Sequence, residues 1–431
     1  MRTHILYILV LACLLSCRKD KTTSIFGETP DQRLEKALAE YKSTLTGATY
    51  GWKTALFPRA GGGASFFMTF DTAGRVTMYG DVTADAASTP ENSTWRLKAM
   101  QRPSLLFDTY TYLHLLADPD PNVYGGVTGQ GYYVDFEYAI DSVANDTIKL
   151  TGITYGTKMI LVKATKAEHD AYTSGQFGEQ LVDIENYIAD FPWQYLQFPD
   201  GKKLQVSINT ATKNFTLIYL DDAGKVQLLS TAFYFSTDGL YLQTPITYGS
   251  YTFNEVFWDA DNQVFYIKVN GTRIDVQVAD TSIIPMHQLL GVSFTSIVVP
   301  PQSIPGWSAD FTNMWKSIAA SLKSGGYNLT LYYTYFTFDA AQQVMYLDVY
   351  IIQNNRLYLA EYPYTYTKTT AGVFNFTEQS YQGNAALIAT DMAPLRDHLE
   401  NDHFTMDFFE GTLGQLKSVE DTGFYFTGYL E

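Results

Sequence analysis

Four times along this chain an apolar run meets an Asp-initiated turn and a second apolar run follows. The segments are Phe70-Asp71-Thr72-Ala73-Gly74-Arg75-Val76, Leu220-Asp221-Asp222-Ala223-Gly224-Lys225-Val226, Trp258-Asp259-Ala260-Asp261-Asn262-Gln263-Val264 and Phe338-Asp339-Ala340-Ala341-Gln342-Gln343-Val344. An Asp side chain at such a corner bonds the backbone just ahead of it, and a loop of four or five residues returns the chain antiparallel to itself. Hairpins in series make meanders. Composition points the same way: 33 Tyr and 27 Phe against only 17% charged residues favour pleated sheet over helix. Short aromatic and β-branched runs at Ser65 to Phe70, Arg75 to Tyr79, Tyr132 to Ile140 and Thr147 to Thr151 read as strands. In the third, Val134, Phe136, Tyr138 and Ile140 alternate with Asp135 and Glu137, which predicts one buried and one wet face.

Helical patterns precede the strands. Thr29-Pro30-Asp31-Gln32 gives an N-cap, a proline at the first helical position and a capping box, followed by Leu34, Ala37, Leu38, Tyr41 and Leu45 on one face and a stop at Gly47. Leu181, Ile184 and Ile188 form a second face, and Phe311, Met314, Trp315, Ile318 and Leu322 a third, closed by Gly325-Gly326. A last helix is expected from Asp391, with Met392, Leu395 and Leu399 inward, before a closing strand at Phe424 to Tyr429. The expected class is therefore mainly β, a β-rich α+β chain of antiparallel meander sheets or sandwich- or barrel-like modules, each preceded by an amphipathic helix. The modules fall near 27–165, 177–282 and 307–431, either as true repeats or as independent uses of a common hairpin. Lys163 to Gly178 is polar and aperiodic and reads as a join. So does Ala279 to Trp307, where Pro285, Pro300, Pro301 and Pro305 work against regular pairing in a central strand.

The N-terminus carries a different message. Arg2 precedes an apolar run from Ile5 to Leu15, too short to span a bilayer. It ends in Leu14-Leu15-Ser16-Cys17, which resembles the lipobox of bacterial lipoproteins. That resemblance implies a signal peptide over 1–16, acylation of Cys17, and a polar tether over 17–26. Two or more acyl chains anchor a protein stably without a transmembrane helix. Cys13 and Cys17 are the only cysteines, so lipidation leaves neither a disulfide framework nor a thiol nucleophile. The net charge of −16 repels phosphate backbones, and nucleic acid is not an expected partner.

Beyond the lipobox, the residues Tyr50-Gly51-Trp52-Lys53, Gly61-Gly62-Gly63, Ser93-Thr94-Trp95-Arg96-Leu97 and Pro103-Ser104-Leu105-Leu106-Phe107-Asp108-Thr109-Tyr110 form a set with Leu116-Ala117-Asp118-Pro119 and Asp135-Phe136-Glu137-Tyr138. This set resembles a family of cell-envelope lipoproteins of Bacteroidota-type bacteria, defined as a domain of unknown function. The likeness covers the first module well and the rest in general layout. It implies an envelope location, with members often encoded beside outer-membrane nutrient-uptake systems, and supplies no catalytic residues; the outer membrane is the expected location.

Candidate chemistry is sparse. Asp135 and Glu137, two residues apart on a strand, are the best-placed acids for a glycan-active hydrolase, the alternative being the wet face of a half-buried strand. Asp118-Pro119-Asp120-Pro121-Asn122 offers oxygen ligands for a hard cation but lacks EF-hand spacing, so a plain turn is preferred; Asp259-Ala260-Asp261-Asn262 reads as a hairpin tip. His398 and His403 are five apart and miss the spacing of a zinc helix. No metal and no cofactor is expected. The aromatic runs are the more suggestive feature: Tyr332, Tyr335, Tyr362, Tyr364 and Trp258 are candidates for a ligand-binding surface, with sheet core as the competing use of the same residues. The expected function is a non-catalytic accessory binding lipoprotein with a glycan, nutrient or protein ligand, the bilayer and an outer-membrane transporter as its partners. A hydrolase or a structural or adhesion protein are the alternatives.

Overall fold

All four Asp-initiated turns fold as hairpins, and the hairpins close into barrels. The computed structural model describes residues 28–411 and 413–431; the signal-peptide and tether readings, Cys17 included, lie outside these. The first barrel is β1 (Trp52–Leu56), β2 (Ala64–Phe70), β3 (Arg75–Gly80), β4 (Glu91–Ala99), β5 (Pro103–Phe107), β6 (Glu137–Ala144), β7 (Thr147–Gly152) and β8 (Lys158–Lys163), antiparallel in chain order. β1 and β8 close it, Trp52 standing opposite Lys163. The second runs β9 (Gln194–Gln197), β10 (Lys203–Asn209), β11 (Asn214–Leu220), β12 (Val226–Ser236), β13 (Gly239–Tyr248), β14 (Tyr251–Asp259), β15 (Val264–Val269) and β16 (Thr272–Val278), closed by β16 on β9. The third runs β17 (Ser296–Val299), β18 (Thr330–Asp339), β19 (Val344–Gln353), β20 (Arg356–Lys368), β21 (Phe374–Glu378), β22 (His403–Phe409), β23 (Leu413–Ser418) and β24 (Tyr425–Leu430), closed by β24 on β17. The chain divides into two compact units between Glu179 and Gln180: the first holds one barrel, the second the other two.

The turn chemistry is visible atom by atom. Asp71 Oδ1 accepts from Arg75 N at 2.7 Å, and Asp221 Oδ1 from Ala223 N and Lys225 N at 3.0 and 2.9 Å. Asp339 Oδ1 accepts from Ala341 N and Gln342 N in the same manner, and Asp259 Oδ1 from Asn262 N. Each carboxylate satisfies amides that the ladder cannot reach.

Helix α1 (Pro30–Thr46) begins with the expected capping box, Thr29 and Gln32 exchanging side chain-to-backbone bonds, and Gly47 ends it. Leu34, Ala37, Leu38 and Tyr41 are half-buried and Leu45 is buried. The Trp52 indole donates to Leu45 O at 2.9 Å, which ties the helix end to the first strand.

The two joins fold further than the sequence reading allowed. Lys163 to Gly178 contains helix α2 (Lys166–Thr173), with a Thr165–Glu168 capping box and an ion pair from Glu168 to Lys53 of β1. In the proline-bearing stretch, β17 pairs on both sides, with β18 and β24. Pro300 and Pro301 follow its last residue, so they end the strand rather than interrupt it. The strand expected from Tyr132 begins only at Glu137.

Helix α3 (Gln176–Asp190) carries the division between the units and buries Leu181, Ile184 and Tyr187. Helix α4 (Ala309–Ser324) buries Phe311, Trp315, Ile318 and Leu322, with Phe311 stacked 4.3 Å from Phe426. Between β21 and β22, whose pairing is limited to Phe374↔Phe404 and Asn375↔His403, the chain inserts α5 (Asn384–Leu387) and α6 (Ala389–Asn401). Met392, Leu395 and Leu399 of α6 are fully buried. Along β19 the barrel alternation is strict: Met345, Leu347, Val349 and Ile351 point inward, and Tyr346, Asp348, Tyr350 and Ile352 outward.

Candidate functional site

Of the two candidate acids, Asp135 is structural. It lies just ahead of β6 and is buried, not on a wet face. Its Oδ1 accepts from Thr154 N and Tyr155 N at 2.6 and 3.0 Å, and its Oδ2 from Thr157 N at 3.1 Å, so it holds the β7–β8 loop together. A Cβ added at Gly152 would fall 1.9 Å from that Oδ2, which explains glycine there. Glu137 is half-buried at the start of β6. Period-2 alternation missed this because the backbone at 135 has not yet joined the ladder.

Three of the aromatic candidates belong to the core. Tyr362 and Tyr364 point into the third barrel, fully buried, their hydroxyls donating to Ala385 O at 2.8 Å and Glu378 Oε1 at 3.0 Å. Burial pushes both phenols above their ordinary range. Trp258 packs in the second barrel, edge-on to Tyr187 and Phe265. None of the three offers a face for stacking, and the sheet-core use of these residues prevails.

Tyr332 and Tyr335 do face outward. A bulge between Leu331 and Thr334 sets both Tyr332 and Tyr333 opposite Tyr350, so two consecutive tyrosines stay out of the core. Tyr332 is 41% exposed and meets Tyr333 edge-on at 4.8 Å, while half-buried Tyr335 meets Tyr350 at 5.5 Å. Register then extends the face across β20: Tyr350 opposes Leu359 and Ile352 opposes Leu357, with the two leucines 38% and 53% exposed. In the next row Asp348 lies between Tyr335 and Glu361. Asp348, Glu361, Tyr350 and Leu359 went unread in the sequence; the alternation Tyr346-x-Asp348-x-Tyr350 was the available signal.

Asp348 is the anomaly on this face. Its Oδ2 accepts from the Thr337 hydroxyl at 3.3 Å, but its Oδ1 is buried with no partner. Burial, and then the nearby Glu361 carboxylate, push its pKa up to about 6. A raised carboxyl pKa favours the folded state while the group is protonated. That contribution is full below the ordinary carboxylate value and is lost as pH rises through 6. Asp348→Asn is therefore expected to stabilise the protein at pH 7.5 by about 1–2 kcal/mol, after discounting for partial exposure. The gain should vanish near pH 4. Thermal unfolding at both pH values checks this, and an equal gain at both would contradict it.

The remaining acidic loop leads into a short helix, Pro121–Tyr124, which Asp120 caps, rather than a plain turn. Asp118 accepts from Asp120 N and the Tyr110 hydroxyl, and Asp120 from Asn122 N. Among the described residues no group of three or more His, Cys, Asp or Glu gathers to hold a metal. A cavity of about 310 Å³ between α1 and β4 is lined by Leu38, Ala39, Lys42, Gly74, Trp95, Arg96 and Leu97, with no carboxylate among them. No helix among the described residues is long and apolar enough to cross a membrane.

No curated protein matches the chain. Among solved structures it is similar to a DNA polymerase III subunit beta, the DnaN sliding clamp of Bartonella birtlesii, at 10% identity and a TM-score of 0.14, over 91% of this chain and 97% of that one. So low a score demonstrates no shared fold. A family model does match, over residues 22–260, which is more than half of the chain. The chain belongs to the family described as Domain of unknown function (DUF4302).

Proposed function

We propose that this protein is a non-catalytic, lipid-anchored protein of the bacterial cell envelope that docks a protein partner as an accessory to outer-membrane nutrient uptake. The lipobox-like Leu14-Leu15-Ser16-Cys17 and the envelope-lipoprotein resemblance support the anchor and its location. The observation that carries the binding role is the outer face of β18–β20, where exposed Tyr332, Leu357 and Leu359 adjoin half-buried Tyr335, Tyr350 and Ile352 in neighbouring rows. Small ligands favour concave sites, whereas an open sheet face rich in tyrosine suits a protein surface. Of the acids named for the hydrolase alternative, Asp135 is buried and accepts from amides of the β7–β8 loop, which weighs against that reading, while Glu137 is half-buried.

The test pairs Tyr332→Ser with Leu359→Ser. Both side chains are substantially exposed, so the double variant should keep its unfolding temperature and its membrane fractionation. Co-isolation of the lipoprotein with its membrane neighbours in mild detergent should fall by roughly tenfold or more, the scale of losing interface anchors. Unchanged co-isolation would overturn the docking role.

A further inference from the structure

We infer that the cavity between α1 and β4 takes the anionic headgroup of a phospholipid from the bilayer that holds the protein. This rests on the lipid anchoring proposed above and concerns a different surface from the docking face. The cavity measures about 310 Å³, within the range of small-ligand sites. Its floor is apolar: Trp95 is buried, Leu38 and Leu97 are half-buried, and Ala39 brings only a methyl group. The Trp95 indole donates to Arg75 O at 3.0 Å, which fixes that floor. Lys42 and Arg96 supply the charge, and no carboxylate lines the cavity. Lys42 is exposed and makes no ion pair among the described residues. Arg96 gives its Nη2 to Asp108 at 3.0 Å, and a guanidinium keeps further N–H donors for a phosphate. A phosphodiester fits this pair of cations, and the glycerol and first methylenes of a lipid fit the floor.

Two further observations favour a lipid over a dissolved anion. The first is where the chain comes from. Ten residues, Arg18 to Gly27, lie between Cys17 and Glu28 and reach at most about 35 Å when extended. The cavity lies two to three turns along the helix that follows, about 12–18 Å from its first residue. An acylated Cys17 would therefore hold the cavity among headgroups, where even a weak site fills. The second is the hairpin on which Arg96 stands. From Asn92 to Phe107 it carries Arg96, Lys98 and Arg102 and no acid, in a chain of 45 acidic and 29 basic residues. Arg102 meets Asp141 at 2.8 Å, whereas Lys98 is exposed and Met100, near the tip, is 39% exposed. Cations flanking an exposed apolar side chain suit the boundary between headgroups and acyl chains.

The probe is a vesicle, offered to the full mature chain carrying Cys17→Ser so that no acyl group contributes. Co-sedimentation with phosphatidylcholine vesicles containing about one-third phosphatidylglycerol should be stronger than with phosphatidylcholine alone by roughly tenfold or more. Lys42→Gln with Arg96→Gln should lose most of that preference. Ala39→Phe, which fills the cavity at unchanged charge, should lose it too. Lys316→Gln with Lys323→Gln, an equal charge change on α4, should keep it. If a lowered unfolding temperature shows that Arg96→Gln loosens the barrel, Lys42→Glu alone carries the same expectation. No preference for phosphatidylglycerol, or an equal loss in the α4 variant, would overturn the headgroup site. So would tight binding of glycerol 3-phosphate in solution by the same residues, which would assign the cavity to a dissolved anion. The intact mass of the native protein tests the anchor separately, since a Cys17 without acyl chains would overturn anchoring even if the vesicle preference held.

Discussion

Replacing Asp135 by alanine is expected to destabilise the first barrel by about 3–5 kcal/mol, because several amides lose a buried acceptor at once. Thr154 N, Tyr155 N and Thr157 N all point at this carboxylate, and Thr157 N is buried. The unfolding temperature should fall by about 10 °C or more. Asp135→Asn keeps one acceptor oxygen and should cost less. Gly152→Ala should resemble the alanine variant at 135, since its Cβ would sit 1.9 Å from Asp135 Oδ2. Thermal unfolding of the three variants checks the order. Unchanged stability in Asp135→Ala would mean that the carboxylate is free for some other role.

The second large effect is expected at Arg396. Its guanidinium forms a two-pronged pair with Glu378, with side-chain exposures of only 13% and 11%, and donates to Ala389 O at 3.2 Å. It also lies over the Tyr362 and Tyr381 rings, 5.0 and 4.7 Å from their centroids. The pair joins α6 to β21 beside the narrow β21–β22 seam. Arg396→Met leaves a buried carboxylate with the Tyr364 hydroxyl as its remaining donor and should cost about 3–5 kcal/mol. Adding Glu378→Gln should recover much of that loss, because the stranded charge rather than the missing attraction dominates. A double variant no more stable than Arg396→Met would contradict this.

What the sequence could disclose depended on how local its physics is. The Asp-initiated turns and the Thr29–Gln32 capping box are closed by residues within a few positions of one another, and each folds as read. The third helix face, Phe311 to Leu322, was equally plain from its spacing. Asp135 was misread because its partners lie about twenty residues on, in a loop that no period reports. Tyr362 and Tyr332 illustrate the same limit for the site. Both sit in aromatic runs, but strand parity and one bulge send Tyr362 inward and Tyr332 outward. Asp348 gains its meaning only from Tyr335 and Glu361 on the strands to either side. Cross-strand register, set by the whole barrel, is the information that residue spacing lacks.

The most direct test of the docking role is a photo-cross-linking amino acid placed at Leu359 in the native membrane, with Val278 of the second barrel, 43% exposed, as the control position. Irradiation should join Leu359 to one discrete protein partner, and Val278 to none or to a different set. The absence of a protein adduct at Leu359, or identical adducts from both positions, would contradict a docking role for the β18–β20 face.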